Sequence, residues 1–295
     1  MTRIGFDVGG TNIKAGLFDN DMNYLSKKIS SFPKALGYHN IIETMYETAM
    51  EMLTENNLSK DDVCSIGIAS AGGIDIEGGI IIAAYNLDFK EVPIRDEMKS
   101  HFPGIPVKLI NDADAAALAE LKKGALKGCR NSLLLTIGTG LGSGVIIDGK
   151  LYSGGLGNGT EVGHMLLSRD GPLCTCGKRG CIESFCAATW LVNAGRDLGY
   201  YGAKAVIDAA KNGEAAAIDV FNEYIENFSD AIASLANLLD PEIVALGGGV
   251  SLAGDFLFVP LREKVEKKSF FKHPYKIVPA RLGNDAGTIG AAVNV

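Results

Sequence analysis

Between residues 164 and 181 a histidine and three cysteines, His164, Cys174, Cys176 and Cys181, follow the pattern H-x9-C-x-C-x4-C. Imidazole and thiolate suit tetrahedral Zn2+, and Gly177 and Gly180 let the backbone fold round an ion. The spacing is not the C-x2-C of common zinc fingers, so reduced core thiols or a redox pair are the alternatives. Four protein ligands leave no open coordination position, which makes such a zinc structural rather than catalytic. Cys64 sits in an apolar run and reads as buried, Cys129 lies apart, and Cys186 is a spare thiol near the cluster.

A second constellation is LINDADAAALAE, which sets Asn111 and Asp112 between a strand-like run and an Ala-rich helical run. Taken alone the pair reads as a helix N-cap, worth about 1 kcal/mol. Strand ends in open α/β sheets are also where ligands bind, and a carboxylate there can accept a proton from a hydroxyl undergoing phosphoryl transfer. Asp114 adds a second carboxylate nearby.

Two glycine turns have the composition to hold phosphate. IGFDVGGTNIKAGLF (4–18) and LLLTIGTGLGSGVII (133–147) share a plan of apolar strand, Gly/Thr turn and second apolar strand. Each reads as a β-hairpin whose turn, at Gly9, Gly10 and Thr11 or at Gly138, Thr139 and Gly140, can bring backbone N–H groups close to an anion. Either alone could be an ordinary tight hairpin. Asp7, just before the first turn, can hold Mg2+ through water or form an Asx turn onto Gly9. Neither run matches the Walker P-loop, and the second does not open a helix as a dinucleotide-binding turn does. A third run, Gly247, Gly248 and Gly249, follows an apolar strand and offers bare backbone to an adenosine or simply a strand-to-helix turn.

The elements that must position these residues alternate along the chain. Strand-like runs at Ile4–Val8, Val63–Ala69, Val107–Ile110, Ser132–Ile137 and Ile243–Leu246 interleave with helical patterns at Ile41–Leu53, Ala113–Lys123 and Ala215 to about Leu239. That alternation predicts an α/β architecture. Two like hairpins about 130 residues apart predict two similar halves with a cleft between them, rather than a solenoid.

The chain has 295 residues, 47% hydrophobic and 21% charged, with 35 acids against 28 bases and a net charge of −7. This is a globular composition without a basic arm, which argues against nucleic acid and anionic membrane as partners. The start MTRIGFDVGGT passes straight into a strand pattern, and the longest apolar stretch is broken by Asp75 and Glu77, so a cytoplasmic protein is expected. Six cysteines in a reducing compartment read as thiols or metal ligands.

The segments DVGGTNIKAGLF, NDADAAALAE, LTIGTGLGSGVIIDGKL, EVGH and CTCGKRGCIES occur in the order found in the ROK family of sugar kinases and sugar-responsive regulators. The resemblance covers essentially the whole chain and is nearest to the glucokinase branch. It implies an actin-like ATPase fold of two ribonuclease-H-like domains with a central cleft and a zinc motif in the larger one. The implied division is a small N-terminal domain (1–113), a large domain (114–283) and a C-terminal helix (284–295) returning to the small domain.

By the same resemblance Asp112 is the catalytic base, and the sugar is held by Gly72, Asn86, Asn111, Asp112, Glu161, His164 and Glu183. The nucleotide site draws on Asp7, Gly9, Gly10, Thr11, Asn12, Lys14, Gly138, Thr139, Gly140, Gly247, Gly248 and Gly249, with ATP and Mg2+ as its occupants. His164, Cys174, Cys176 and Cys181 become ligands of a structural Zn2+ that orients the histidine ring. The implied reaction moves the γ-phosphate of ATP to the 6-hydroxyl of glucose, in a protein that is a homodimer as relatives commonly are. Phosphorylation of N-acetylmannosamine, N-acetylglucosamine, fructose or allose is the alternative. A family regulator is disfavoured, because only six residues precede Asp7 and no helix-turn-helix pattern appears. Three departures from the family pattern adjoin the expected sugar site. The turn at 69–75 lacks a proline, Asp88-Phe89 replaces a commoner small-residue and Trp ending, and Thr160 stands where glycine is frequent. Cys176→Ser is expected to release zinc and impair the sugar site while sparing the phosphate turns.

Overall fold

Two five-stranded sheets with the same connectivity organise the chain. The computed structural model describes residues 1–295 except 34–36, 85, 86, 88, 156, 158 and 272–274. The first part of the chain runs β1 (Thr2–Val8), β2 (Asn12–Phe18), β3 (Tyr24–Ser31), α1 (Gly37–Glu55), β4 (Val63–Ser70), β5 (Gly73–Asp75), β6 (Ile80–Ala84), β7 (Phe89–Val92), α2 (Ile94–His101), β8 (Val107–Asn111) and α3 (Asp112–Lys123). Its main sheet has the order β3-β2-β1-β4-β8, and β5, β6 and β7 form a separate antiparallel sheet.

The second part runs β9 (Ser132–Ile137), β10 (Leu141–Ile147), β11 (Lys150–Leu151), α4 (Glu183–Cys186), α5 (Ala188–Arg196), α6 (Ala203–Lys211), α7 (Ala215–Leu239), β12 (Ile243–Gly247), α8 (Asp255–Lys268) and β13 (Lys276–Pro279). The chain ends in α9 (Ala286–Val293). The second sheet has the order β11-β10-β9-β12-β13. In both sheets the central strand pairs antiparallel with its hairpin partner and parallel with the next strand, which itself has a parallel neighbour.

Local sequence explains these elements. Strand β1 is buried on both faces apart from two half-buried positions, as expected of a central strand with parallel pairing on one side. Strand β3 instead alternates half-buried and exposed residues, the signature of an edge strand with one wet face. Helix α3 is nucleated by Asn111, whose side chain accepts from the N–H groups of Ala113 (2.8 Å) and Asp114 (3.3 Å), and is propagated by alanines of high helix propensity. Helix α7 stops where Asp240 adopts φ 43° ahead of Pro241, which disfavours a continued helix.

Contacts divide the chain into one compact unit of Met1–Lys127, Leu151–Gly159 and Asn284–Val295, and a second of Gly128–Lys150 and Thr160–Gly283. Each has its own apolar core. Ile4, Phe6, Ile68, Met45 and Met52 belong to the first, and Leu133, Leu135, Tyr224, Phe228 and Leu246 to the second. A boundary at residue 113 would cut α3. The helix stays whole in the first unit because its alanine face packs on α9 and its start continues β8.

Candidate active site and Cys/His cluster

In the first unit, three parallel strand ends carry the candidate residues. Register aligns Val8 with Ser70 and Ser70 with Asn111 across β1, β4 and β8. Asp7 and Asp112 therefore leave the carboxyl edge of strands two apart, a separation of roughly 10 Å in the pairing direction. The Asp7 Oδ2 accepts from Lys14 Nζ at 3.1 Å, and Lys14 is its register partner on β2. The Gly9 N–H donates to the Asn12 carbonyl at 3.0 Å and closes the first glycine turn, leaving Thr11 and Asn12 exposed at its tip. Asn12 Nδ2 donates to Thr11 Oγ1 at 3.2 Å.

Asn111 spends its side-chain oxygen on the cap of α3, while Asp112 Oδ1 accepts from the Ala113 N–H at 2.8 Å. Both side chains are half-buried. Gly72 has φ 102°, and a Cβ there would fall 2.3 Å from the Ala83 carbonyl oxygen, so only glycine lets this turn close on β6. Asn86 lies outside the described residues.

In the second unit, the other glycine turn is pinned from α4 and α5. The carbonyls of Gly138 and Thr139 accept from the Ala188 N–H (2.9 Å) and the Thr189 hydroxyl (2.5 Å). Glu183 Oε2 accepts from the Leu141 N–H at 3.0 Å, and a Cβ on Gly140 would fall 2.5 Å from that oxygen. The turn's acceptors thus face protein donors, an arrangement that keeps carbonyl dipoles from opposing an anion. Gly247 pairs with Thr136 across β12 and β9. Gly248 has φ 83°, and a Cβ there would lie 2.3 Å from the Ile137 carbonyl oxygen, so the triple-glycine run hugs the end of β9. Beside it a cavity of about 420 Å³ is lined by Gly138, Thr139 and Gly249 and by Lys204, Ile207 and Lys211 of α6. That volume is in the range of small-ligand pockets.

His164, Cys174, Cys176 and Cys181 converge, with their ligand atoms all within 4.8 Å of one another. Cys176 Sγ lies 3.7 Å from Cys181 Sγ, and Cys174 Sγ lies 3.6 Å from His164 Nδ1. A tetrahedron with Zn–S bonds of about 2.3 Å has S···S edges of about 3.8 Å, so the donor set fits Zn2+ in kind and number, and these two separations match its edges. Burial pushes the thiols of Cys174 and Cys181 up, the latter to about 12, whereas the backbone around Lys178 lowers that of Cys176. With Nδ1 facing the thiols, the ring's Nε2 is the nitrogen left for other partners.

Glu161 is exposed and precedes the 3-10 turn Val162–His164. Ser143 of β10 holds that segment, donating to the Thr160 carbonyl and accepting from the Val162 N–H at 3.4 Å. Glu183 reaches the cluster as well, its Oε1 accepting from Thr175 Oγ1 at 2.7 Å and from Cys174 Sγ at 3.4 Å.

The ROK family profile matches residues 3–295. The chain belongs to the ROK family. This ROK chain is 36% identical to the glucokinase of Thermotoga maritima, over 98% of its own length and 95% of that protein's. Among solved structures it is similar to the ROK hexokinase of Thermus thermophilus, with a TM-score of 0.90, 33% identity and coverage of 100% and 98% of the two chains. It is also similar to a Streptomyces griseus ROK family glucokinase in complex with glucose and AMPPNP, with a TM-score of 0.80, 32% identity and coverage of 99% and 98%. The fold is that of the ROK sugar kinases, in the actin-like ATPase class.

Sequence motifs in this ROK chain do not point to α6, whose short amphipathic pattern reads as ordinary packing although Lys204, Ile207 and Lys211 line the cavity. They also give no warning of the Glu183 contact with Leu141, since the two residues are 42 positions apart.

Proposed function

We propose that this ROK-family chain is an ATP-dependent hexose kinase that converts glucose to glucose 6-phosphate. The observation that carries the proposal is the common sheet edge of Asp7 and Asp112, one beside a Gly/Thr turn and the other at the head of α3. Full-length similarity to relatives named glucokinase and hexokinase supports the substrate class.

In this reading Asp112 accepts the proton of the sugar 6-hydroxyl as the oxygen attacks the γ-phosphate. Such a base contributes about 10²- to 10⁴-fold. Gly72, Asn86, Asn111, Glu161, His164 and Glu183 hold the remaining hydroxyls. Gly9, Gly10, Thr11, Asn12 and Lys14 with Gly138, Thr139 and Gly140 receive the phosphates, and the cavity beside Gly249, Gly248 and Gly247 receives the adenosine. Mg2+ would be held near Asp7, where it supplies charge neutralisation for the transferring phosphoryl group. His164, Cys174, Cys176 and Cys181 would hold a structural Zn2+ that fixes the imidazole and leaves Nε2–H as a donor to the sugar.

N-acetylmannosamine, N-acetylglucosamine, fructose and allose are the alternative acceptors, since Thr160 and the 69–75 turn depart from the family pattern. A DNA-binding regulator is not favoured, because these kinase relatives align nearly end to end with the chain. A cytoplasmic setting is proposed from the reading of the six cysteines as thiols or metal ligands, and no described helix is long and apolar enough to cross a membrane. A homodimer is proposed from the family alone, and light scattering tests it. A coupled assay for ADP across hexoses and N-acetylhexosamines tests the activity, with glucose expected to give the highest kcat/KM; absence of turnover on every sugar would overturn it.

A further inference from the structure

Gly287, in the first turn of α9, leaves room for one carboxylate. A Cβ placed on it would lie 2.6 Å from Asp7 Cγ, 2.7 Å from Asp7 Oδ2 and 2.9 Å from Asp7 Cβ. Ordinary contact between carbon atoms is about 3.5–4.0 Å, and the three nearest atoms all belong to Asp7. On the opposite strand Lys14 Nζ donates to the same Oδ2 at 3.1 Å. The carboxylate is therefore held between a lysine and the bare backbone of a helix.

Helix α9 is closely packed on two sides. A Cβ on Gly5 of β1 would lie 2.0 Å from the Thr288 carbonyl oxygen, and one on Gly67 of β4 would lie 1.8 Å from that of Ala291. On the other side, a Cβ on Gly290 would lie 1.7 Å from the Ala115 carbonyl oxygen of α3. The Thr288 hydroxyl is also bound, to Tyr24 OH at 2.7 Å and to the Asp285 carbonyl at 3.0 Å. One helix thus touches the strand that carries Asp7 and the helix that begins at Asp112. Its registration is fixed by backbone contacts that admit no side chain.

We propose that Gly287 is a positioning residue for Asp7, and that α9 sets the carboxylate in the place where Mg2+-nucleotide is received. This rests on the role given to Asp7 in the proposed kinase reaction. A methyl group at residue 287 forces the Asp7 side chain to another rotamer or displaces the end of β1. A shift of about 1 Å at a reacting centre costs about 10²-fold in rate. The atoms the methyl group meets all belong to Asp7, so the loss falls on kcat and on metal dependence.

The test is a double-mutant cycle between Gly287→Ala and Asp7→Gly in the full chain. For G287A we expect kcat to fall about 100-fold, half-saturating Mg2+ to rise about tenfold, and the glucose KM to stay within about twofold. In the D7G background the same methyl group should change none of these more than about twofold, because all three atoms it strikes are gone. Additive losses, or a raised glucose KM with unchanged metal dependence, would overturn the proposal. The same cycle is read without turnover as Mn2+·ADP affinity by calorimetry. If the wild-type chain phosphorylates no sugar, the kinase reading fails while this binding cycle still decides the role of Gly287. Should G287A not fold, the G287A/D7G chain should fold, since the clash is removed. Failure of both to fold would place the clash elsewhere and overturn the inference.

Discussion

Glu183 ties the Cys/His cluster to the second glycine turn, with Oε1 accepting from Thr175 Oγ1 at 2.7 Å and Oε2 from the Leu141 N–H at 3.0 Å. Residue spacing alone separates the two features, and from it Cys176→Ser is expected to spare the phosphate turns. The shared carboxylate changes that expectation. Cys176→Ser should lower bound zinc, measured by elemental analysis, and raise the glucose KM at least tenfold. It should also raise the ATP KM several-fold, as the Thr175 loop loosens and Leu141 loses its fixed acceptor. Zinc loss with both KM values unchanged would mean that the cluster braces neither site.

Asp112→Asn retains an oxygen to accept from the Ala113 N–H, so α3 keeps its start. The amide cannot take a proton at neutral pH. We expect kcat to fall about 10²- to 10⁴-fold with the thermal midpoint and glucose affinity nearly unchanged. Calorimetric glucose titration beside steady-state kinetics checks this, and near-wild-type turnover would remove Asp112 from the role of base.

Gly248 and Gly249 are neighbours with opposite requirements. At Gly248 the positive φ of 83° and the Ile137 carbonyl, 2.3 Å from an added Cβ, both exclude a side chain. Gly248→Ala should cost about 1–3 kcal/mol in urea unfolding and raise the ATP KM. At Gly249 an added Cβ meets nothing within 4 Å, so Gly249→Ala should stay within about 0.5 kcal/mol of wild type in stability. Equal stability losses at the two positions would contradict the packing described.

Between α7 and α8, Glu226 binds Lys264 and Lys268, and hydrogen bonds from these lysines hold its carboxyl down to about 2 from an ordinary 4.5. A folded-state pKa below the unfolded value gives a contribution that is complete above about pH 4.5 and is lost as pH falls towards 2. The side chain is 47% exposed, so solvent screening limits the effect to under about 1 kcal/mol. Glu226→Gln should therefore lower stability slightly at pH 7 and not at all near pH 2, as read from urea midpoints at the two pH values.

Much of the fold is legible in the sequence because strands and helices have local signatures. The runs Ile4–Val8, Val63–Ala69 and Ser132–Ile137 correspond to β1, β4 and β9, and the helical pattern ending at Asp240-Pro241 corresponds to α7. The resemblance of the two glycine hairpins points to a duplicated layout, and the two sheets have equivalent strand orders. The Cys/His set is likewise visible because its four residues lie within one short segment and glycines permit the turns between them.

Other relationships depend on contacts between residues far apart in the chain, which local composition does not encode. Gly287 carries no signal of Asp7, 280 positions earlier, until α9 packs on β1 and brings its first turn to within a missing methyl group of the carboxylate. Glu183 reads as a sugar ligand by motif, yet tertiary packing also gives it the Leu141 N–H and the Thr175 hydroxyl. The sequence by itself determined the strands, the helices, the glycine turns and the compact Cys/His set, because propensity, periodicity and short spacing act locally. Only the tertiary structure decided which backbone stands behind Asp7 and which turn Glu183 holds, because those depend on close packing between elements distant in sequence.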